Sequence, residues 1–248
     1  MYLNVEGLVL RRTEYNDRDV LLTILTRRHG KLTVKARGLK RKNSPLTAQC
    51  QLLSFSEFTL FEYRGMYTIN EAGSLELFCE LRRDLTRLSL GTYFAQVAEI
   101  LSQEDQPSPE LLSLVLNCLY GLAKLGVEER KVKAVFELRC ACLAGYFPEL
   151  SGCRKCGAPW PDRFDLQAGM LECAGCRNPC SDGIRMPVSP GVLEAMRYIT
   201  QCESHKIFSF QLPPEAMGQL ADLTESYLTA QLERGFSTLD FYKSLFMK

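Results

Sequence analysis

Four cysteines arranged in two pairs are the residues of this sequence whose types and spacing point most directly to chemistry. Cys153 and Cys156 have two residues between them, sixteen residues follow, and Cys173 and Cys176 repeat the short spacing. Two intervening residues let both thiolates of a pair reach one metal ion from a tight turn, and two pairs complete a tetrahedron around Zn²⁺. Four thiolates leave no open coordination position, so the spacing predicts one structural zinc ion.

The alternatives for these cysteines are free core thiols, a redox pair or an iron site. Cys180 lies nearby in the sequence and could replace Cys176 as a ligand. The chain has eleven cysteines and no secretory signal at its N-terminus, which argues against a disulfide framework and predicts a reducing, cytoplasmic location. The remaining six cysteines fall in apolar patterns and are predicted to be small core residues: Cys50, Cys79, Cys118, Cys140, Cys142 and Cys202.

Positive charge is concentrated in the N-terminal part of the chain. The whole sequence has a net charge of +1, but residues 1–43 hold 11 basic and 4 acidic residues, a net +7. Five of these cations fall within the eight positions 35–42. A local surplus of this kind is typical of a polyanion-binding surface, although it is also compatible with a solubilising loop.

The cationic segment follows a stretch in which apolar and polar residues alternate, so we expect a flexible loop beside one charged sheet face. Such a surface could follow a phosphate backbone, with tyrosines at positions 2, 15, 63 and 67 available for base stacking. No base-reading helix motif accompanies it, which predicts binding with little sequence preference. The predicted DNA-contacting residues are Arg11, Arg12, Lys31, Lys35, Arg37, Lys40, Arg41 and Lys42.

Enzymatic functions find little support. The sequence has no G-x-x-x-x-G-K-[ST] phosphate-binding loop and no G-x-S-x-G nucleophile motif. Glu14, Asp17 and Asp19 could hold Mg²⁺ for a nuclease, but a polar turn between strands explains them more simply. We therefore predict a non-enzymatic binding protein.

Hydropathy patterns predict an α+β chain. Five segments with strand-like alternation precede position 77, which favours a small barrel, and helical periodicity begins near Leu75. Ser108 and Pro109 are typical of the N-cap and first position of a second helix, and Gly145 of the end of a third. No apolar run is long enough to span a membrane. The predicted strands are 5–11, 20–26, 31–36, 53–61 and 67–72, and the later helices 190–201, 214–233 and 239–246.

Several short segments resemble the bacterial RecO family of recombination mediators. The start of the chain contributes residues 6–12, 19–26, His29-Gly30-Lys31 and Ala36-Arg37-Gly38. More specific matches are Phe136-Glu137-Leu138-Arg139, Gly145-Tyr146, Pro148, Leu150, Cys153-x-x-Cys156-Gly157, Ser189-Pro190-Gly191 and Lys243-Ser244-Leu245.

The resemblance implies an OB-fold β-barrel at residues 1–77, a helical domain at 78–150 and 186–248, and a zinc-binding insert at 151–185. It implies binding to single- and double-stranded DNA, annealing of complementary strands, and partnership with RecR and with single-stranded DNA-binding protein (SSB), so that RecA can be loaded on coated strands. Arg139 is predicted to bind a carboxylate of the acidic SSB tail through both ends of its guanidinium group. The alternative is a structural salt bridge to a neighbouring helix. A zinc-stabilised OB-fold protein acting on RNA, or a nuclease of unrecognised type, is the alternative.

Overall fold

The computed structural model describes residues 1–176 and 183–246, so Cys180 lies outside the described residues. The chain packs into two compact units. One comprises Met1–Leu125 with the C-terminal segment from Phe236, and the other comprises Gly126–Gly235. The sequence predicts three parts, the barrel, the helical domain and the zinc-binding insert. That division remains a prediction, because the two units are defined by packing alone. Within the described ranges, no helix is both long and apolar enough to cross a membrane.

The first unit begins with a closed five-stranded barrel in the order β1-β2-β3-β5-β4, the arrangement of an OB-fold. Alternate residues point inward and form its core, among them Val9, Leu22, Ile24, Val34 and Phe58. The predicted strands are all present, with the first and last longer than expected. They are β1 (Tyr2–Glu14), β2 (Val20–Thr26), β3 (Lys31–Ala36), β4 (Phe55–Tyr63) and β5 (Met66–Glu76).

The turn between β2 and β3 is fastened to the segment that follows the first helix. Gly30 forms an isolated bridge with Glu104, and the Lys31 N–H donates to the Gln103 carbonyl at 2.9 Å. Gly30 has φ +59°, and a Cβ at this position would lie 2.2 Å from the Gln103 carbonyl oxygen. Only glycine is compatible with both the conformation and the close approach.

Three helices complete the first unit: α1 (Leu85–Leu101), α2 (Pro109–Ala123) and α6 (Ser237–Ser244). The helical periodicity read from Leu75 begins too early, because β5 continues to Glu76 and a 3-10 turn covers Cys79–Arg83. Asp84 then caps α1 by accepting the N–H groups of Thr86 and Arg87. Ser108 occupies the predicted N-cap position of α2 but makes no side-chain capping bond.

The second unit combines three helices with a small sheet. The helices are α3 (Glu129–Leu143), α4 (Pro190–Gln201) and α5 (Pro214–Leu232). The four-stranded sheet has the order β6-β8-β7-β9, with β6 parallel to β8 and the other pairs antiparallel. Its strands are β6 (Glu149–Cys153), β7 (Arg163–Asp165), β8 (Met170–Glu172) and β9 (Arg185–Pro187). The cysteine pairs lie at the ends of β6 and β8, so this sheet positions them.

Candidate nucleic-acid interface and metal centre

The four cysteine sulfurs of the two pairs converge on one point. Their Sγ atoms all lie within 4.8 Å of one another, and the Sγ atoms of Cys156 and Cys173 are 3.8 Å apart. Sulfurs at the corners of a tetrahedron with metal–sulfur bonds of about 2.3 Å stand about 3.8 Å from one another. The cluster of Cys153, Cys156, Cys173 and Cys176 could therefore hold a metal ion.

The surroundings of the cluster lower the pKa of the Cys153 thiol and raise the pKa of the Cys173 and Cys176 thiols. Backbone N–H groups, chiefly that of Cys156, lower the pKa of the Cys153 thiol to about 6. Burial and the neighbouring sulfurs raise the pKa of Cys173 to about 12, and the adjacent Cys156 sulfur, with burial, raises that of Cys176 to about 11. A bound divalent cation reverses such raised values, because it stabilises the thiolate form.

An ion-pair network braces the sheet behind the cluster. The almost completely buried carboxylate of Glu172 contacts Nε of Arg154 at 2.8 Å and Nε of Arg185 at 2.9 Å. Arg185 also contacts Asp165 at 3.3 Å. Because Glu172 directly precedes Cys173, this network fixes the strand from which the second cysteine pair starts.

Two of the predicted DNA-contacting residues bind α1 within the first unit. Arg11 Nε lies 2.9 Å from a carboxylate oxygen of Glu99, and the Lys31 ammonium donates to the Glu99 carbonyl at 2.9 Å. These contacts join the barrel to its first helix. Arg11 and Lys31 thus use part of their hydrogen-bonding capacity on Glu99 and are less available to a phosphate.

Two further predicted DNA-contacting residues pair with the acidic turn between β1 and β2. Lys35 lies 3.0 Å from Asp19, and both side chains are mostly buried. Lys40 lies 3.0 Å from Glu14, whose side chain is 85% exposed. An exposed pair of this kind contributes about 0–1 kcal/mol, so a phosphate could displace Glu14 more readily than Asp19.

The other four predicted DNA-contacting residues are exposed and form no ion pair with any residue that the structure describes: Arg12, Arg37, Arg41 and Lys42. Three of them belong to residues 37–44, which we call the basic loop. Expected to be flexible, this loop is folded into hydrogen-bonded turns, with the Arg41 N–H donating to the Gly38 carbonyl at 3.1 Å. Leu39 is buried in the barrel core and anchors the loop. Its exposed cations are therefore carried on a fixed backbone.

A trough runs from the basic loop across β5 to the start of β1. One cleft of about 420 Å³ is lined by the basic loop with Ile69 and Asn70. A second cleft of about 250 Å³ is lined by Tyr2, Phe61 and Thr68. Arg37, Ile69 and Asn70 line both clefts, so the two form one trough.

The tyrosines considered for base stacking have different surroundings. Tyr2 is 63% exposed and its ring centroid lies 5.3 Å from that of Phe61, which is 39% exposed. The Lys35 ammonium lies over the Tyr15 ring, and Arg64 over the Tyr63 ring. Tyr67 is partly buried and packs against the barrel core. The sequence did not lead us to predict a stacking role for Phe61, although strand alternation with the buried Phe58 and Leu60 turns its side chain outward.

Helix α3 buries two of the cations in its sequence, Lys131 and Lys133. The Lys131 ammonium donates to the Phe210 carbonyl, and Lys133 contacts the carboxylates of Glu137 and Glu225 at 2.9 and 2.7 Å.

Arg139, the residue predicted to hold the SSB tail, donates to the Cys202 carbonyl. Its Nε is buried and has no hydrogen-bond partner among the described residues. The Cys202 carbonyl therefore uses one end of the Arg139 guanidinium and leaves its Nε–H without a partner among the described residues.

Comparison with known families assigns this architecture. The family described as Recombination protein O N terminal matches residues 1–78, and the family described as Recombination protein O C terminal matches residues 82–240. The chain belongs to the RecO family. Among its relatives, the DNA repair protein RecO of Acetivibrio thermocellus is 32% identical over 246 residues, covering 98% of this chain and 97% of the relative. That of Alkaliphilus metalliredigens is 30% identical over 248 residues, covering 99% and 100%.

The family assignment confirms the resemblance noted in the sequence and connects the chain with DNA repair. The match to the RecO N-terminal domain spans the barrel, the basic loop and the trough. The match to the RecO C-terminal domain includes the four-cysteine cluster and Arg139. The trough with its basic loop and the four-cysteine cluster therefore lie in different family domains of the chain.

Proposed function

We propose that this RecO chain is a recombination mediator that binds single- and double-stranded DNA and anneals complementary strands. The single observation that carries the proposal is the group of exposed cations on the basic loop that form no ion pair with the described residues and border the trough of an OB-fold barrel. Arg37 and Arg41 line that trough, and Lys42 is the neighbour of Arg41. Phosphate groups would supply the negative charge that no described residue provides for these three cations.

Binding is expected to depend on the backbone of the nucleic acid more than on its sequence. The cations lie on strands and in a loop, and none belongs to a helix that could enter the major groove. Contacts to phosphate position a protein without reading bases. Such binding suits an annealing protein, because it must hold strands of any sequence.

The four-cysteine cluster is proposed to hold one zinc ion in a structural role. An all-sulfur set at tetrahedral spacing favours zinc over magnesium or calcium, which prefer oxygen ligands. With Cys153, Cys156, Cys173 and Cys176 as ligands, the ion would supply the cross-link that holds the ends of β6 and β8 together. No catalytic step is assigned to it.

The proposed partners follow from the family. With RecR, the protein would help to load RecA on DNA coated with SSB, in the cytoplasm and in association with the nucleoid. Arg139 stays the candidate for a carboxylate of the SSB tail, since its Nε lacks a partner in the described part of the chain. All these roles are binding roles, so we propose that the chain is not an enzyme.

Strand annealing without cofactors tests this function. Two complementary oligonucleotides, one carrying a fluorophore and the other a quencher, are mixed with the full chain in the absence of ATP and Mg²⁺. We expect annealing faster than the protein-free rate, and slower annealing by the variant Arg41→Ala/Lys42→Ala. The matched control Arg130→Ala/Lys206→Ala removes two exposed cations from the other unit and should anneal like wild type.

Two outcomes would contradict the proposal. Strand cleavage after addition of Mg²⁺ would indicate a nuclease. Stronger competition by an RNA oligonucleotide than by DNA of the same length and composition would indicate an RNA-binding protein.

A further inference from the structure

The outer face of the barrel carries two aromatic side chains where the trough begins. Tyr2 and Phe61 are directly opposite each other on β1 and β4, with ring centroids 5.3 Å apart and ring planes at 53°. Cross-strand aromatic pairs stabilise sheets, which is their ordinary role. Here the tilted arrangement leaves ring surface exposed on both residues, and both line the same cleft as Arg37.

Polar and cationic groups continue from this pair along the trough. Thr68 and Asn70 follow on β5, and Arg37 lies where the two clefts join. Arg37 makes no ion pair with the described residues, unlike Lys35 two positions earlier. The trough thus presents, in order, a stacking surface, hydrogen-bonding groups and free positive charge. Exposed base faces, base edges and phosphates are the three chemistries of an unpaired DNA strand.

We infer that the trough is a single-strand subsite, in which unpaired bases stack on Tyr2 and Phe61 while the adjoining phosphates contact Arg37 and Arg41. This inference rests on the proposed DNA-binding function and adds a means of telling single strands from duplex. In a duplex the base faces are stacked on one another and cannot reach the aromatic rings. Duplex DNA would therefore use the cations of the basic loop without the aromatic pair.

The test compares three probes of about 16 nucleotides, the upper end of an OB-fold site. These are oligo-dT, an abasic strand with the same number of phosphates, and a duplex. Affinities are measured by fluorescence anisotropy with the full chain at one salt concentration. For wild type we expect the abasic strand to bind about tenfold more weakly than oligo-dT, because it offers the same phosphates but no bases to stack on the aromatic residues.

Variants then locate the effect. Phe61→Ala and Tyr2→Ala should each weaken oligo-dT binding about five- to tenfold and leave duplex and abasic binding within twofold. The matched control is Tyr120→Ala, which removes an exposed tyrosine from α2 in the same unit, outside the trough, and should change none of the three affinities. Thermal unfolding establishes that each variant is folded, and the wild-type comparison with abasic DNA requires no variant at all.

The outcomes separate this inference from the proposed function. If wild type binds oligo-dT and abasic DNA equally, or if Phe61→Ala weakens duplex and oligo-dT alike, the stacking subsite is wrong while DNA binding stands. If wild type binds none of the three probes, both proposals fail.

Discussion

At the scale of single residues, Asp19 fixes the start of the basic loop. Its carboxylate accepts the Gly38 N–H at 2.9 Å, contacts the Lys35 ammonium at 3.0 Å and accepts an Asn16 side-chain N–H at 3.1 Å. These hydrogen bonds, with that of Gly38 foremost, hold the pKa of Asp19 well below its usual range. Asp19 therefore joins the turn before β2 to the loop that we propose contacts DNA.

The lowered pKa predicts a pH-dependent contribution to stability. Since the folded state prefers ionised Asp19, the contribution is present above the unfolded pKa of about 3.9 and is lost as the pH falls below that value. Asp19→Asn should thus be less stable than wild type at pH 7, and the difference should shrink between about pH 5 and pH 2.

Urea unfolding at a series of pH values measures this difference. Asp17→Asn is the matched control, because Asp17 is exposed in the same turn and has no ion-pair partner among the described residues. A stability difference between wild type and Asp19→Asn that is the same at every pH would contradict the role given to this carboxylate.

The predictability of individual residues depends on whether their partners are close in sequence. The cysteine quartet could be predicted because each pair is a local turn motif. The pairing of Arg11 with Glu99 could not be, since 88 positions separate them and only the fold brings them together. Phe61 was predictable in principle: with Phe58 and Leu60 buried, strand alternation places it outside. Because phenylalanine is apolar, its outward position was not interpreted as a binding site.

At the scale of elements, the sheet that carries the cysteines is too small to be stable by itself. Strands β7, β8 and β9 have three residues each, and short strands need packing or a cross-link. Metal binding at a structural zinc site contributes about 10–16 kcal/mol in zinc-finger peptides, more than such a sheet can supply. We therefore expect removal of the proposed zinc ion to disorder this sheet.

Trp160 can report this change. It is the only tryptophan of the chain and lies between the two cysteine pairs, with the Arg197 guanidinium 5.1 Å from its ring. Wild type should contain one zinc per chain by elemental analysis, and a chelator should alter the Trp160 emission, because disorder of the sheet separates this half-exposed ring from the Arg197 guanidinium. Cys173→Ala should show this emission without chelator. The control Cys79→Ala removes a cysteine outside the cluster, which is exposed and not in the core as predicted, and should behave as wild type.

Absence of metal from purified protein, together with an emission spectrum that neither chelator nor Cys173→Ala alters, would contradict the structural zinc site. Loss of zinc from the Cys79→Ala control would show that the effect is not specific to the quartet.

Elements were predictable where one periodicity held along the whole segment. The five strands and the helices after position 108 follow from alternation or helical spacing. The start of α1 does not, because Leu81 fits the helical pattern yet lies in a 3-10 turn that Asp84 ends. In α3 the burial of Lys133 depends on Glu225 from α5, a contact that no pattern within one helix reveals.

At the scale of the whole molecule, part of the positive charge concentrated in residues 1–43 is exposed on the protein surface. The N-terminal net charge of +7 already counts Glu14 and Asp19, which pair with Lys40 and Lys35, and Glu99 from α1 pairs with Arg11 in addition. What stays exposed and unpaired in the described structure includes Arg41 and Lys42 of the basic loop. The family and the fold class could be predicted from the sequence, but this selection among cations required the structure.

The salt dependence of single-strand binding tests the central claim, that the basic loop binds DNA phosphates, most directly. The equilibrium constant for an oligo-dT probe is measured over a range of salt concentrations for wild type, Arg41→Ala/Lys42→Ala and the control Arg130→Ala/Lys206→Ala. Each phosphate contact on a single strand contributes about 0.7 to the slope of log K against log salt, so the loop variant should lose about 1.4 and bind more weakly, whereas the control should match wild type. A loop variant with the affinity and slope of wild type would contradict the account.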